Sequence, residues 1–236
     1  MGISYFIFNS YFIYMDPFMN KIYNEDCRKT LKKNLDYNYV FCVPPDYNEL
    51  EMCPAKNALE YYNFLYWIFE ELRPKNNVVT IGITDRKFRG GILIKHREII
   101  RGMESLDYKY ISQKIWCKSY KQNLYRLNYS FIMTFAKGKI KQNHNPRFEE
   151  DVWNAKVYKH KGYNYAVALE VVKRCIANFT KPGEIVYDPF MGSGTTAIAC
   201  LETDRKYIGS EIKKEYFDIA SDRLNKYREN NENLFI

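Results

Sequence analysis

The chain has 236 residues, of which 46% are hydrophobic and 27% are charged, and its formal net charge is +8. This length and apolar content predict one domain with a buried core, which argues against an intrinsically disordered protein. The charge is uneven, because residues 86–161 hold 18 Lys or Arg against 6 Asp or Glu, a local balance of +12. A single basic stretch suits a surface that faces phosphates, although a merely soluble basic surface has the same composition.

The six cysteines show neither close pairing nor zinc-ligand spacing, and only three histidines accompany them. We therefore expect free, mostly buried thiols, with no metal and no disulfide framework. Residues 1–19 begin with an apolar, aromatic run that is too short to span a bilayer and lacks the features of a signal peptide. We predict that residues 1–19 are an N-terminal extension of a cytoplasmic protein that is neither secreted nor bound to a membrane.

Strands and helices alternate in the first half of the chain. Lys21–Tyr23 is predicted to be a short strand, and residues 39–43 form a buried strand that Pro44-Pro45 ends, because proline cannot donate to a ladder. Apolar residues recur at helical spacing over residues 59–72. The remaining predicted elements here are helices over 28–35 and 92–104, a strand over 78–83, and β-rich runs over 108–117 and 129–135.

Residues 137–161 are polar, basic and without a clear period, and regular alternation returns after them. Strands that alternate with helices indicate a mostly parallel sheet with helices on both faces. We predict a single domain over residues 20–228 and a C-terminal tail over 229–236. The last predicted elements are helices over 167–179, 195–202 and 214–227 and strands over 184–187 and 206–209.

A glycine-rich turn between a strand and a helix is the most informative segment, with the sequence IVYDPFMGSGTT over residues 185–196. Gly192 and Gly194 permit backbone angles and a close ligand approach that side chains would block. The N-terminus of the following helix offers N–H groups to a negatively charged ligand group. Glu211 follows Gly192 by 19 residues, a spacing that places a carboxylate against ribose hydroxyls. A structural turn with a surface glutamate is the alternative for a bare glycine pair, but the whole run is more specific.

The run DPFMGSGTT at 188–196, followed by YIGSEI at 207–212, resembles the cofactor half of amino-directed DNA methyltransferases, which modify adenine N6 or cytosine N4. The order of parts is similar to the permuted β group of that family, with the catalytic strand early and the glycine loop late. The resemblance covers about residues 20–228 and is strongest over 181–224. It implies an α/β, Rossmann-like methyltransferase fold that depends on S-adenosylmethionine, with circularly permuted motif order and a small basic insertion.

The resemblance also implies roles in a pocket for S-adenosylmethionine. Glu211 would hold the ribose, and Asp26, in the IYNEDC run at 22–27, would meet the adenine amine. Both would share one pocket if the chain begins at the third strand of the sheet and ends just after the second. The other residues implied to shape this pocket are Asp188, Phe190, Gly192, Gly194 and Thr195, with Phe190 on the adenine side. Tyr165 is expected to be a core tyrosine rather than a cofactor contact.

The catalytic motif of the family is an acidic or polar residue, two prolines and an aromatic residue. A base amine is a poor nucleophile because its lone pair is delocalised into the ring. Hydrogen bonds from the amine to a side-chain oxygen and a backbone carbonyl, with in-line positioning, supply most of the acceleration. The aromatic residue stacks on the target base once that base is flipped out of the duplex.

The corresponding run here is FCVPPDYN at 41–48, and Val43 stands where the side-chain acceptor is expected. The predicted catalytic loop consists of Pro44, Pro45, Asp46 and Tyr47. In one interpretation Tyr47 stacks on the base, and Asp46 or the Pro44 carbonyl accepts the amine hydrogens. In the other, the site is silent and the protein binds nucleic acid or cofactor without transferring methyl groups.

Basic residues alternate with aromatic ones between residues 85 and 161, where Lys and Arg would contact phosphates. Trp116, Tyr129 and Phe131 are expected to belong to the strand core. Residues 137–161, including His144 and Trp153, are predicted to be a short target-recognition segment. Arg86, Lys87 and Arg89, beside Gly90-Gly91, are predicted to form a flexible basic loop near the cleft. The candidate nucleic-acid-binding residues are Arg86, Lys87, Arg89, Lys118, Lys139 and Arg147.

These observations predict a site-specific methyltransferase that acts on the amine of adenine or cytosine in double-stranded DNA, as in restriction-modification. The alternative is a catalytically inactive, methyltransferase-like subunit that binds DNA or regulates. The short recognition segment suits a short target site, or help from a second copy or a partner subunit.

Overall fold

The computed structural model describes residues 19–45, 58–88, 91–118, 127–139, 150–157 and 166–232. Within these residues one eight-stranded sheet carries helices on both faces, and a two-stranded sheet lies beside it. The strands are β1 (Lys21–Tyr23), β2 (Tyr39–Cys42), β3 (Val78–Ile83), β4 (Arg86–Phe88), β5 (Gly91–Leu93), β6 (Lys109–Cys117), β7 (Tyr129–Ala136), β8 (Val152–Asn154), β9 (Ile185–Asp188) and β10 (Lys206–Ser210). The helices are α1 (Cys27–Leu31), α2 (Ala58–Glu71), α3 (Lys95–Ser105), α4 (Leu169–Phe179), α5 (Thr195–Leu201) and α6 (Lys214–Glu232).

The large sheet has the strand order β1-β10-β9-β2-β3-β7-β6-β8. The first five strands in this order are parallel, and β7 runs antiparallel to both of its neighbours. The first and last strands of the chain in this sheet are therefore neighbours. Because parallel strands end at the same edge, the segments after β1, β10, β9, β2 and β3 meet at one edge, which we call the carboxyl edge.

Two apolar layers cover the sheet, because the central strands bury side chains on both faces. Alternate residues of β2 divide between the layers, so that Val40 joins the layer under α1, α2 and α3 and Phe41 joins the layer under α4, α5 and α6. The predicted α/β, mostly parallel architecture with helices on both faces is confirmed. No helix among the described residues is long and apolar enough to cross a membrane.

Three predictions about local structure are wrong. Arg86 and Lys87 were expected in a flexible loop, and residues 92–104 in one helix, but β4 and β5 pair as an antiparallel hairpin and α3 begins only at Lys95. Trp153 was expected to recognise DNA, but it lies in β8, paired in parallel with Trp116 of β6, and is 3% exposed. Burial of this indole in the sheet leaves it unable to contact a base.

The other bounds differ by a few residues. Helix α1 ends at Leu31, earlier than predicted, and α6 continues to Glu232, beyond its predicted end. Trp116 is buried, as expected for strand core, whereas Tyr129 and Phe131 are half-buried. Of the predicted buried thiols, Cys27, Cys42, Cys175 and Cys200 are buried and Cys117 is half-buried, and none of these five forms a disulfide with another described residue.

Candidate cofactor site and catalytic loop

The glycine turn lies at the carboxyl edge, between β9 and α5. Gly192 has a φ of 54° and Gly194, at the N-cap of α5, has a φ of 81°, both in the left-handed region. A Cβ atom on Gly194 would lie 3.0 Å from the Cβ atom of Ala220 in α6. Glycine is thus required at Gly194 for conformation and for space. The first backbone N–H groups of α5 follow this turn and lack acceptors within the helix.

Asp188 is the last residue of β9, and its buried side chain stabilises the turn. Its Oδ1 accepts a hydrogen bond from the Phe190 N–H at 2.9 Å, and its Oδ2 accepts one from the Thr196 hydroxyl at 2.6 Å. Burial raises the pKa of Asp188 to about 7, with a smaller contribution from the charge of Glu211, although these two hydrogen bonds act in the opposite direction. Asp188 is 3% exposed, so its carboxyl group shapes the turn rather than facing a ligand.

This raised pKa predicts a stability that depends on pH. The unfolded chain loses the Asp188 proton near pH 3.8, whereas the folded chain keeps it until about pH 7. The free energy of unfolding should therefore fall as pH rises from about 4 to 7, by at most roughly 4 kcal/mol from this group. In Asp188→Asn the fall should be smaller, measured by chemical denaturation at several pH values. The exposed Asp222→Asn is the control, and equal pH profiles for wild type and Asp188→Asn would contradict the prediction.

Glu211 follows β10 and joins the turn to the next segment of the chain. Its Oε2 accepts the Gly192 N–H at 2.8 Å, and its Oε1 accepts the Lys213 N–H at 2.8 Å. The residue is 8% exposed, while Ile212 beside it is 49% exposed. A carboxylate fixed by two backbone N–H groups, with an exposed apolar side chain next to it, suits a ligand with hydroxyl groups and a flat apolar part.

Asp26 reaches the same edge because β1 and β10 are paired. The Glu211 N–H donates to the Tyr23 carbonyl at 2.9 Å, and the Asn24 side chain donates to the Glu211 carbonyl at 2.9 Å. Asp26 caps α1 by accepting the Arg28 N–H at 2.9 Å and also accepts hydrogen bonds from the Arg28 guanidinium. Although burial acts to raise it, these interactions hold the pKa of Asp26 below its ordinary value. The Asp26 carboxylate is therefore already paired with Arg28.

An aromatic groove of about 620 Å³ lies beside Asp26 and is lined in part by Arg28, Phe64 and Trp67. The Arg28 guanidinium lies over the Phe64 ring, 5.7 Å from its centroid. The Phe64 and Phe190 ring centroids are 6.3 Å apart. The structure thus brings Asp26, Phe190 and Glu211 to one end of the carboxyl edge.

Arg223, which lies within the family resemblance but had no predicted role, contacts the turn from α6. Its guanidinium donates to the Ser193 carbonyl, to the Ser193 hydroxyl at 3.0 Å and to the Thr195 hydroxyl at 3.3 Å. These contacts join residues 30 and 28 positions apart, so no local pattern reveals them. Arg223 fixes the conformation of the turn and shows that Thr195 faces α6.

The prolines of the predicted catalytic loop follow β2, the strand between β9 and β3. Pro44 is buried and Pro45 is half-buried, and the Tyr61 hydroxyl of α2 donates to the Pro45 carbonyl at 2.8 Å. Val43 packs against Gly82 so closely that a Cβ atom added to Gly82 would lie 2.9 Å from a Val43 methyl carbon. The position expected to carry a side-chain acceptor thus holds a packed apolar group. Asp46 and Tyr47 lie outside the described residues.

The candidate DNA contacts are divided between the two edges of the sheet. Arg86 and Lys87 lie in the β4–β5 hairpin, directly after the carboxyl end of β3. The Lys118 ammonium donates to the Thr84 hydroxyl at 2.8 Å, near the same edge. Lys139 lies at the opposite edge, because its carbonyl accepts from the Asn77 side chain ahead of β3. Arg89 and Arg147 lie outside the described residues. Among the described residues, no group of three or more His, Cys, Asp or Glu side chains could hold a metal ion.

The fold and the site define a Rossmann-like methyltransferase of the S-adenosylmethionine-dependent class. The DNA methylase family of N6 and N4 methyltransferases matches residues 18–222, and the chain belongs to this family. Type II methyltransferase M.BglII from Bacillus subtilis is 28% identical over 178 residues, which are 71% of this chain and 47% of the relative. M.Cfr9I from Citrobacter freundii is 43% identical over 79 residues, 33% of this chain. The match covers 26% of M.Cfr9I, about a quarter of that relative's length.

Solved structures share the fold. The structure of M1.HpyAVI has a TM-score of 0.65 and 26% identity, covering 87% of this chain and 98% of that chain. A DNA modification methylase from Thermus thermophilus, complexed with S-adenosyl-L-methionine, has a TM-score of 0.67 and 21% identity, covering 87% and 93%. PvuII DNA methyltransferase, described as cytosine-N4-specific, has a TM-score of 0.71 and 16% identity, covering 85% and 84%.

Proposed function

We propose that this protein transfers a methyl group from S-adenosylmethionine to the exocyclic amine of adenine or cytosine in double-stranded DNA. The observation that carries the proposal is the juxtaposition of two segments at the carboxyl edge. The turn fixed by Asp188 and Glu211 follows β9, and Pro44-Pro45 follow the adjacent strand β2. A methyl donor and a flipped base would then meet across neighbouring strands. Membership of the DNA methylase family and the likeness to a structure that binds S-adenosyl-L-methionine support this proposal.

The described residues fit the cofactor. Gly192 and Gly194 let the backbone approach the methionine portion, and the N-terminus of α5 offers N–H groups to its carboxylate. We assign Glu211 to the ribose hydroxyls, because its carboxylate is fixed beside the turn, and the exposed Ile212 would offer an apolar surface to the adenine. Asp26, which caps α1 and is paired with Arg28, remains our candidate for the adenine amine. S-adenosylmethionine, when bound, supplies an electrophilic methyl group on a sulfonium.

The Pro-Pro segment would hold the target amine. The Pro44 carbonyl is our candidate acceptor for an amine hydrogen, and the hydrogen bond from Tyr61 to the Pro45 carbonyl fixes the segment against α2. We further propose that the target base stacks on Tyr47. The catalytic segment then precedes the glycine turn along the chain, as the permuted β group implies. The protein would act in the cytoplasm, where the DNA is, alone or with a second copy or partner subunit.

The test is methyl transfer from isotope-labelled S-adenosylmethionine to unmethylated, mixed-sequence duplex DNA, with product nucleosides identified by mass spectrometry. Labelled methyladenine or methylcytosine would support the proposal and name the base. Protein that binds the cofactor, and leaves DNA unlabelled at every concentration and in every sequence tried, would overturn it.

One observation favours the second candidate, a silent DNA-binding or regulatory subunit. Val43 packs beside Gly82 and presents no oxygen to an amine. In that case the cofactor would bind with ordinary affinity and stabilise the fold, and DNA would bind without being modified. The same labelling experiment separates the two functions.

The hairpin β4–β5 gives the proposal a DNA-binding prediction. Changing Arg86, Lys87 and Arg89 to Ala should weaken duplex binding and reduce the slope of log affinity against log salt by roughly 2 to 3, because each phosphate contact contributes about 0.9 to the slope. Fluorescence anisotropy at salt concentrations from about 50 to 300 mM measures this slope.

A matched control changes three exposed lysines at the other edge of the sheet to Ala. Lys75 precedes β3, Lys109 begins β6 and Lys181 precedes β9. This variant has the same net charge as the hairpin variant. Equal salt slopes for the two variants would show that total charge, rather than the hairpin, binds DNA.

A further inference from the structure

A histidine and a buried aspartate form a pair at the carboxyl edge, outside the motifs that define the family resemblance. Asp85 follows β3 and is 6% exposed. Its Oδ1 accepts the Lys95 N–H at 2.8 Å and the His96 N–H at 3.1 Å, in the first turn of α3. Its Oδ2 lies 2.6 Å from His96 Nδ1. A carboxylate with these contacts fixes the imidazole as the tautomer with its proton on Nδ1, which leaves Nε2 as an acceptor.

Packing fixes the plane of this imidazole. The centroids of the His96 and Phe131 rings are 4.0 Å apart, and Phe131 lies in the layer under α1, α2 and α3. The His96 side chain is 25% exposed, so one part of the ring reaches the surface. The ring is therefore held both by a hydrogen bond and by an aromatic contact, as in a preorganised site.

The sheet register places this pair beside the prolines. Cys42 is level with Ile81, so that the register continued by two residues places Pro44 level with Ile83. Ile83 is in turn paired with Phe131, on which the His96 ring packs. Pro44 and Phe131 are thus separated by two strand spacings, roughly 10 Å. Because β3 lies between them in the sheet, a base amine that contacts both the Pro44 carbonyl and the imidazole would lie outside the sheet, over the end of β3.

The charged neighbours at this edge are already engaged in other contacts. The Lys118 ammonium donates to the Thr84 hydroxyl, which also contacts the Ser130 hydroxyl. Lys95 is buried at the start of α3, and both Asp85 oxygens accept from α3. Asp85 therefore serves to orient His96 rather than to contact a substrate.

We propose that His96 Nε2 accepts a hydrogen bond from the target amine, in place of the side-chain acceptor missing at Val43, and then takes its proton. The proposal rests on the proposed function. The amine nitrogen forms a bond to the methyl carbon, and the carbon–sulfur bond breaks with its electron pair left on sulfur. The methylated nitrogen then loses one proton to Nε2, and the imidazolium, stabilised by Asp85, returns that proton to water. The Pro44 carbonyl accepts the second amine hydrogen.

The first test needs no activity. The three histidines of the chain allow the His96 ring signals to be assigned by comparison with His96→Phe in long-range ¹H–¹⁵N spectra of the full chain. We expect the neutral tautomer with the proton on Nδ1, and its loss in Asp85→Asn. A neutral ring with the proton on Nε2 would overturn the proposal.

The second test measures single-turnover methyl transfer to unmethylated duplex DNA. His96→Ala should reduce the rate by about 100-fold or more, as for loss of a proton acceptor, with affinities for cofactor and DNA within about threefold of wild type. Added imidazole should restore part of the rate in His96→Ala. His96→Phe keeps the ring packing on Phe131 and should show the same loss, which separates chemistry from folding.

The controls keep this proposal distinct from the proposed function. Asp222→Asn should keep the wild-type rate, because this exposed carboxylate of α6 has no assigned role in binding or chemistry. Wild-type transfer with an unchanged rate in both His96 variants would overturn the role of His96 and leave the proposed function standing. A reduced rate in Asp46→Ala, with an unchanged rate in both His96 variants, would likewise overturn the role of His96. It would assign the acceptor to Asp46. Absence of transfer in the wild type would overturn both.

Discussion

Gly194→Ala is expected to abolish measurable binding of S-adenosylmethionine or to weaken it by more than about tenfold. A left-handed φ costs a residue with a Cβ atom about 1 to 2 kcal/mol. The added atom would also lie 3.0 Å from the Ala220 Cβ atom and 3.3 Å from its Cα atom, so that α6 or the turn must move. Movement of the turn displaces the N–H groups of α5 that we assign to the cofactor. Isothermal titration calorimetry measures the affinity, and thermal unfolding measures the accompanying loss of stability.

The chain offers a matched control for this substitution. Gly183 has a φ of 83°, almost equal to that of Gly194, but an added Cβ atom would meet nothing within 4 Å. Gly183→Ala should therefore lose about 1 kcal/mol of stability from backbone strain alone and bind the cofactor as the wild type does. Unchanged affinity in Gly194→Ala, or equal losses in both variants, would show that the turn does not position the cofactor.

Glu211→Ala is expected to raise the dissociation constant for S-adenosylmethionine by about 10- to 100-fold. Hydrogen bonds to a charged group contribute about 1.5 to 3 kcal/mol, and about 1.4 kcal/mol corresponds to a factor of ten in affinity. The substitution also removes the acceptor of the Gly192 N–H, which holds the turn against β10. Calorimetry with S-adenosylmethionine and with a methionine analogue that lacks the nucleoside separates the two effects.

If Glu211 binds ribose, the loss of affinity should be large for the whole cofactor and small for the analogue. Glu215→Ala is the control, since this side chain lies in the first turn of α6, is 75% exposed and pairs only loosely with Lys213 at 3.2 Å. A wild-type affinity for the whole cofactor in Glu211→Ala would contradict the assignment.

Local sequence predicted the parts of the fold that local chemistry determines. The run from Ile185 to Thr196 has a buried strand, left-handed glycines and a helix start in immediate succession, and the structure has all three. Pro44-Pro45 ended β2 as predicted, because proline cannot continue the ladder. The family resemblance added the neighbourhood of Asp26 and Glu211, which a separation of 185 positions along the chain would otherwise hide.

Contacts between distant residues were not predictable from pattern. Hairpin β4–β5 escaped prediction because Gly90-Gly91 suggested a loop and Ile92 fitted the helical period that follows. Trp153 lies in a polar, basic stretch, and only its pairing with Trp116 in the sheet shows that it is core. Similarly, the Asp85–His96 pair joins positions 11 apart, and nothing in the sequence around His96 distinguishes it.

The pairing of β1 with β10 has a consequence for the order of folding. Hydrogen bonds between these segments join residues 187 positions apart in a chain of 236 residues. Closing such a long loop costs conformational entropy before stabilising contacts form, and non-local pairing slows folding. During synthesis β1 cannot pair until β10 has been made. A nascent chain therefore contains Pro44-Pro45 long before Asp26 and Glu211 can come together. The pocket that we propose for the methyl donor would therefore be completed last.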